Sequence, residues 1–464
     1  MYNTININLP VHLFNKMILF FAMLWTISPL TGENIRKTYE KKAEKIISAA
    51  LEQDDSYSRL AYLCDTFGHR FSGSESLELA IDWILAEMKS DGLENVHGEE
   101  VMVPKWVRGN ESAELVQPYR KKLPMLGLGR SIATPSEGIE AEIVVVGSYD
   151  ELETRKNEVK NKIVLFDVPF TTYGETVKYR YGGASAAAKQ GAVASLIRSI
   201  APFSMSTPHT GGMSYEEEIR KIPHAALTLE DATLLHRLQD RGEKPIVRLY
   251  MEAHFEPDVP SRNIIAELKG TELPEEIIVV GAHIDSWDVG QGAHDNAGGC
   301  VAAWEAVRIL KKLGFRPRRT IRVVMWTNEE NGLRGAKQYR DSHLNEMDNH
   351  IVAIESDNGV FSPRGFGFTG SEIAKEKVQE AVVLLQPIYA DKIFNDGVEA
   401  DIGPLKDIGV PVMSLEVDRT TYFWYHHTAA DAMDKIDREE LNRCVAALAI
   451  MSYVIADLED SLPR

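Results

Sequence analysis

Ile277-Ile-Val-Val-Gly-Ala-His-Ile-Asp285 is an almost unbroken apolar run that ends on two side chains able to bind a metal. A Gly-rich loop follows, then a helical pattern over 299–313. Next comes a second apolar run, Ile321-Arg-Val-Val-Met-Trp-Thr327, closed by Glu329-Glu330. The alternation continues. A strand over 351–356 ends at Asp357, a helix covers 371–385, and a strand over 411–416 leads through an aromatic loop to a terminal helix over 437–458. Strands this apolar, alternating with helices, predict an α/β fold: a mostly parallel sheet with helices on both faces. Ligands of such sheets bind beyond the carboxyl ends of the strands. That edge is where His283, Asp285, Asp295, Glu329, Glu330, Asp357 and His427 fall.

Each of these residues has an ordinary reading when taken alone. A His-x-Asp pair at a strand end is often a satisfied core histidine. Asp295, in Gly292-Ala-His-Asp-Asn-Ala-Gly-Gly299, sits where a helix N-cap belongs. Adjacent glutamates usually mark a solvated turn, and so does a strand-end Asp357. His427 lies in Tyr422-Phe-Trp-Tyr-His-His-Thr428, which is too aromatic for a solvent loop. Their joint placement at successive strand ends outweighs the separate readings. Carboxylates and imidazoles in this mixture suit zinc, with enough ligands for two ions sharing a bridge. At a strand end His283 and Asp285 project from one face, so the Asp285 carboxylate is expected to orient the imidazole. The Glu329 and Glu330 side chains diverge, so one can bind metal while the other serves as general base; Glu329 suits the base and Glu330 the ligand. Gly365-Phe-Gly-Phe-Thr-Gly370 matches a dinucleotide-binding glycine pattern. It stands mid-sheet, and reads as a plain loop. No P-loop, Gly-x-Ser-x-Gly or His-Glu-x-x-His motif is present.

The chain has 464 residues, too many for one compact core, so two or three domains are expected. Its net charge of −18 argues against nucleic acid or an anionic membrane as partner. The single apolar run near the start, Met17 to Ile27, is too short to span a bilayer comfortably and reads as a secretory signal peptide, with a buried helix as the alternative. Met17 is a second candidate start. No stable membrane anchor is expected. Three cysteines make no disulfide framework, and Cys300 and Cys444 read as buried helix residues. Asn110-Glu-Ser112 is a sequon for a glycoprotein on the secretory route. The expected division is an extension and signal peptide over 1–32, an N-terminal helical part over 33–110, an insertion over 111–261 and a catalytic part over 262–464. Residues 33–64 read as one Lys/Glu-rich helical stretch with Ile46, Ile47, Ala50 and Leu51 as its stripe. It either packs on the main domain or is a removable pro-segment. A helix follows over 75–89. The insertion has strands over 143–146, 163–168 and 192–197, a small-residue helix over 181–191 and a loop at 208–212. It shows no convincing catalytic cluster.

Ala282-His-Ile-Asp-Ser-Trp287, Ala293-His-Asp-Asn-Ala-Gly-Gly299, Thr327-Asn-Glu-Glu330, Glu355-Ser-Asp357 and His426-His-Thr428 resemble, in this order, the motifs of di-zinc exopeptidases with an aminopeptidase-type fold. Phe67-Gly-His-Arg-Phe-Ser-Gly-Ser74 also fits, and the insertion resembles a protease-associated domain. The resemblance covers nearly everything from about residue 35 to 464. It implies two zinc ions per chain, one held by His283 and Asp357, the other by Glu330 and His427, with Asp295 bridging and Glu329 as general base. His427 is preferred to His426 because the ligand of the family directly precedes the Ser/Thr, here Thr428. The implied activity is hydrolysis of dipeptides or short peptides with unblocked termini by a metal-activated water. A homodimer is implied too, with the aromatic loop 422–425 as a surface for the partner. The protein would be secreted, with lysosome, endoplasmic reticulum and Golgi on its route. The alternatives are an aminopeptidase acting on longer peptides and a non-catalytic receptor-like relative.

Overall fold

The strand that carries His283 is the centre of an eight-stranded sheet. The spatial order is Glu94–Val107, His254–Leu268, Arg319–Trp326, Leu273–His283, His350–Glu355, Val412–Val417, Pro363–Thr369, Lys392–Phe394. The structure is a computed structural model and describes residues 35–464. The signal peptide and the candidate start Met17 lie outside the described residues. The four strands from Arg319–Trp326 to Val412–Val417 are mutually parallel. Antiparallel pairs flank them on both sides. Side chains alternate between two packed faces. Ile278, Val280 and Ala282 meet helices Gly298–Lys312 and Arg438–Asp457 on one side. Ile277 and Val279 meet Ala336, Tyr339 and Leu405 on the other. Burial on both faces is why these strands read as continuous apolar runs.

Register sets the site. Gly281 pairs with Glu355, and His283 pairs with Trp326. The strand ends therefore come level, and His283, Glu329, Glu330 and Asp357 emerge at one edge. Gly281 is required there, because a Cβ would overlap the Val324 carbonyl oxygen of the next strand.

The N-terminal stretch is two helices, Ile35–Leu51 and Asp55–Phe67, not one. Its break at 52–54 falls in the polar Glu-Gln-Asp sequence. Ile35, Tyr39, Ala43, Ile46, Ile47 and Ala50 face the core. Leu51 is 39% exposed and lies off that stripe. The first helix docks on the terminal one, where Tyr39 Oη donates to Asp457 O at 2.8 Å and Lys42 Nζ pairs with the Asp457 carboxylate at 2.9 Å.

Residues 111–251 leave the main sheet between strands Glu94–Val107 and His254–Leu268 and build a second eight-stranded sheet. Those two long strands, paired antiparallel, have no counterpart in the sequence reading. The helix expected over 181–191 runs over Tyr173–Lys189, started by Thr172, whose Oγ1 accepts from Glu175 N at 3.3 Å. The glycine-rich 365–370 is not a loop. It lies in strand Pro363–Thr369, antiparallel to Val412–Val417. A Cβ at Gly365 or Gly367 would overlap the carbonyl oxygens of Lys392 and Asp396, so these glycines serve close backbone approach. Cys64, Cys300 and Cys444 are free and buried. Among the described residues no helix is long and apolar enough to cross a membrane.

Candidate metal centre

His283 closes its strand with both ring nitrogens engaged. Nε2 lies 3.0 Å from Asp357 Oδ1 and 3.2 Å from Asp295 Oδ1. On the opposite side of Asp295, His427 Nε2 is 3.4 Å from Asp295 Oδ2 and 3.1 Å from Glu330 Oε2. Asp295 thus presents one oxygen to each histidine, and each histidine has a further carboxylate of its own. His426 reaches only Asp295, at 3.8 Å, and stacks on the His427 ring at 3.5 Å. Donor atoms of His283, Asp295 and Glu330 lie within 4.8 Å of one another, as do those of Asp295, His426 and His427.

The donor set fits a bound cation. Asp295 Oδ2 and Glu330 Oε1 are buried without a hydrogen-bond partner, an expensive condition for a carboxylate unless a cation compensates it. Burial and the neighbouring Asp295 carboxylate push Glu330 well above the usual carboxylate range. Burial, with Asp357 and Asp401 nearby, does the same to Glu329. Burial opposes charge on His283, yet the Asp357, Asp285 and Asp295 carboxylates together outweigh it and hold that imidazole well above its ordinary value. Burial and the adjacent His426 press His427 the other way.

Asp285 works through different atoms from those expected. Its main-chain oxygen, not its carboxylate, is the partner of His283 Nδ1, at 2.9 Å. The carboxylate stays 3.7 Å from that nitrogen. It accepts instead from Glu329 N (3.0 Å), Glu330 N (3.3 Å) and Ser72 Oγ (3.2 Å). Asp285 therefore fixes the backbone of the glutamate pair. Two further supports escaped the sequence reading. The Asp431 carboxylate accepts from His294 N and Asp295 N at 2.8 and 3.0 Å. Buried Arg70 donates to the carbonyls of Ile284, Gln291 and Gly292 and pins the loop that delivers Asp295.

A cavity of about 500 Å³ opens over these side chains, with Glu329 half-buried in its wall. Another part of its wall comes from the helix and loops that accompany the second sheet: Arg130, Tyr173, Arg180, Tyr181 and Met213. The segment 111–251 thus helps line the site, a contribution on which the sequence is silent. It does so through scattered residues that share no local motif. Loop 208–212 also grips the metal-side histidines. Thr210 N donates to His427 O at 3.0 Å, and His209 Nδ1 lies 2.8 Å from His426 O. These bonds hold His427 at φ +62°, a conformation uncommon outside glycine. The aromatic loop is a short helix, Tyr422–Tyr425. Phe423 stacks on Tyr173 and Trp424 packs on Phe203, so part of that loop is covered within the chain.

Comparison with known proteins adds the following. The family model described as Peptidase family M28 matches residues 263–451. Carboxypeptidase Q of Xenopus laevis is 47% identical over 430 residues, 92% of each chain. Carboxypeptidase Q of Homo sapiens is 46% identical over 464 residues, 96% of this chain and 98% of that one. The solved structure of a peptidase M28 precursor from Shewanella amazonensis superposes with a TM-score of 0.89 at 35% identity, covering 92% of this chain and 99% of that one. A zinc aminopeptidase from Bacillus subtilis shares the fold, with a TM-score of 0.65 at 20% identity over 88% of this chain and 98% of that one.

Proposed function

Because the chain belongs to the carboxypeptidase Q group of peptidase family M28 and is a metallo-exopeptidase, we propose that it hydrolyses dipeptides or short peptides with free termini at a centre of two zinc ions. The observation that carries this reading is Asp295, one oxygen directed at each of two histidines that have separate carboxylate partners. His283 and Asp357 would hold one ion, Glu330 and His427 the other, with Asp295 shared. Zinc bound there would supply Lewis acidity toward the scissile carbonyl and the attacking water. Glu329 takes the proton of that water and delivers it to the leaving amine. Asp285 holds the Glu329 main chain so that the carboxylate stays aimed into the cavity. A 500 Å³ space walled in part by helix Tyr173–Lys189 favours a short substrate.

The signal-like start and the Asn110 sequon support secretion, with the lysosome on the same route; assembly as a homodimer is part of the reading. The test is a panel of dipeptides and longer peptides, free or blocked at either end, incubated with zinc-loaded protein. Preference for free dipeptides supports the reading. Cleavage that improves with chain length points to an aminopeptidase on longer peptides. No cleavage of any member overturns enzymatic function.

A further inference from the structure

Tyr173, on the far wall of the cavity, has a hydroxyl that is held from one side and open on the other. It is the first residue of helix Tyr173–Lys189. Its oxygen accepts from Arg180 Nη2 at 2.7 Å. Arg180 is only 3% exposed, and its other nitrogens are engaged. Nε donates to Gly212 O at 3.1 Å, and Nη1 lies 3.5 Å from both Thr210 O and His427 Nδ1. A single guanidinium therefore links the tyrosine hydroxyl to the ring of His427. The Tyr173 ring is wedged between neighbours. It stacks on Phe423 at 5.3 Å and meets His426 edge-on at 5.4 Å. Among the described residues, the Tyr173 hydroxyl makes no other hydrogen bond. Its own proton is free to point into the cavity, which it lines together with Glu329, Glu330 and His427.

We propose that Tyr173 is a catalytic residue whose O–H donates a hydrogen bond to the scissile carbonyl oxygen as that oxygen gains negative charge, with Arg180 as the positioning residue that holds the hydroxyl. The proposal rests on the peptidase reading above. In the step it serves, the water oxygen bonds to the carbonyl carbon, the C=O π pair moves to oxygen, and Glu329 accepts the water's proton. Tyr173 keeps its proton throughout, and only its hydrogen bond to that oxygen strengthens. On collapse the C=O re-forms, the C–N bond breaks, its electron pair leaves with nitrogen, and Glu329 returns the proton to that nitrogen. A donor fixed before the reaction and aimed at developing charge pays no reorganisation during it. A charged donor on the phenol oxygen also polarises the O–H and makes it a stronger donor. Binding a substrate carboxylate is the competing role for this hydroxyl. Arg130, exposed on the same wall and without a partner among the described residues, suits that role better than a neutral phenol whose arginine is already bound through every nitrogen.

The test compares wild type with Tyr173→Phe at equal zinc content, measured by elemental analysis. Kinetics on dipeptides are paired with calorimetric binding of a tetrahedral phosphinate dipeptide analogue and of a planar, non-hydrolysable one. The expected result is a fall in kcat of about 10²-fold, typical for loss of one such donor, with KM nearly unchanged. Phosphinate affinity should fall in step while planar-analogue affinity holds. A second variant guards against misfolding: Arg180→Lys should lower kcat by less, and add nothing further in a Tyr173→Phe background. Normal kcat in Tyr173→Phe overturns the proposal, as does a raised KM with kcat intact and lost preference for a free carboxyl end. Additive losses in the double variant overturn the role given to Arg180. A wild type silent on every peptide overturns the peptidase reading and this proposal together, whereas an active wild type with unimpaired Tyr173→Phe overturns this proposal alone.

Discussion

Glu329 and Glu330 are neighbours in sequence whose main-chain N–H groups share one acceptor, the Asp285 carboxylate, yet their side chains part. Glu330 meets His427 at 3.1 Å, while Glu329 stands in the cavity wall. Glu329→Gln keeps size and removes the proton acceptor, so both zincs should stay and kcat should fall by roughly 10²-fold or more with little change in KM. Glu330→Gln should lose one zinc along with activity. Elemental analysis beside steady-state kinetics separates the two. Zinc lost from Glu329→Gln, or near-normal turnover in it, reverses the roles. The strand-end residues were legible in the sequence because each closes an apolar run. The use of Asp285 was not, because the direction of a hydrogen bond depends on how the chain turns after His283. Tyr173, Arg180, His209 and Thr210 were invisible for another reason: they reach the site from a helix and a loop of the segment 111–251, and no catalytic motif marks them. One missed signal was present. Thr172-x-x-Glu175 is a helix-start pattern, and it would have placed Tyr173 at the head of its helix.

At the scale of the strand, glycine was the residue whose meaning the sequence concealed. Gly365 and Gly367 resemble loop glycines until a neighbouring strand is present to press on them. Gly281 is the same case at the base of the site, its absent Cβ leaving room for the Val324 carbonyl and the Trp326 ring. Periodicity reports which face a residue occupies and says nothing about how close the next backbone comes. Gly281→Ala should therefore spread the two parallel strands just below His283. Overpacking of this kind costs about 1–3 kcal/mol, and here the obstacle is backbone, which cannot rotate aside, so the upper end is expected. Denaturant unfolding should show that loss, and zinc titration should show weaker binding because His283 and Glu330 no longer come level. Unchanged stability would mean that the strands already have slack at this point.

Over the whole molecule, buried charge and buried neutral histidine set opposite responses to solution conditions. Zinc held by the proposed ligands would tie the strand ends to the 426–427 loop and should raise stability by RT ln(1 + [Zn]/Kd), about 4 kcal/mol at a thousandfold excess over Kd. Chelation should accordingly lower the melting temperature, and an unshifted melt would argue against a tightly held ion. Acid acts elsewhere. His224, in the second sheet, is fully buried. Its Nε2 lies 3.4 Å from Tyr179 O and its Nδ1 has no partner, so protonation would bury a charge with one ring N–H left without an acceptor. Burial accordingly lowers its pKa from 6.5 to about 4. Between those values the unfolded chain binds the proton and the folded one does not. The stability from a neutral His224 is complete above pH 6.5 and is lost as pH falls toward 4, by about 2 kcal/mol at pH 5. Easing of the −18 net charge works in the opposite sense as pH falls, so total stability alone cannot reveal the histidine. His224→Gln removes the titration and keeps a donor for Tyr179 O. The variant should be less stable than wild type at pH 7 because the packing changes, and the gap should narrow by about 2 kcal/mol at pH 5. Denaturant unfolding at both values measures it. A gap that stays constant would place the acid sensitivity of the fold in other groups.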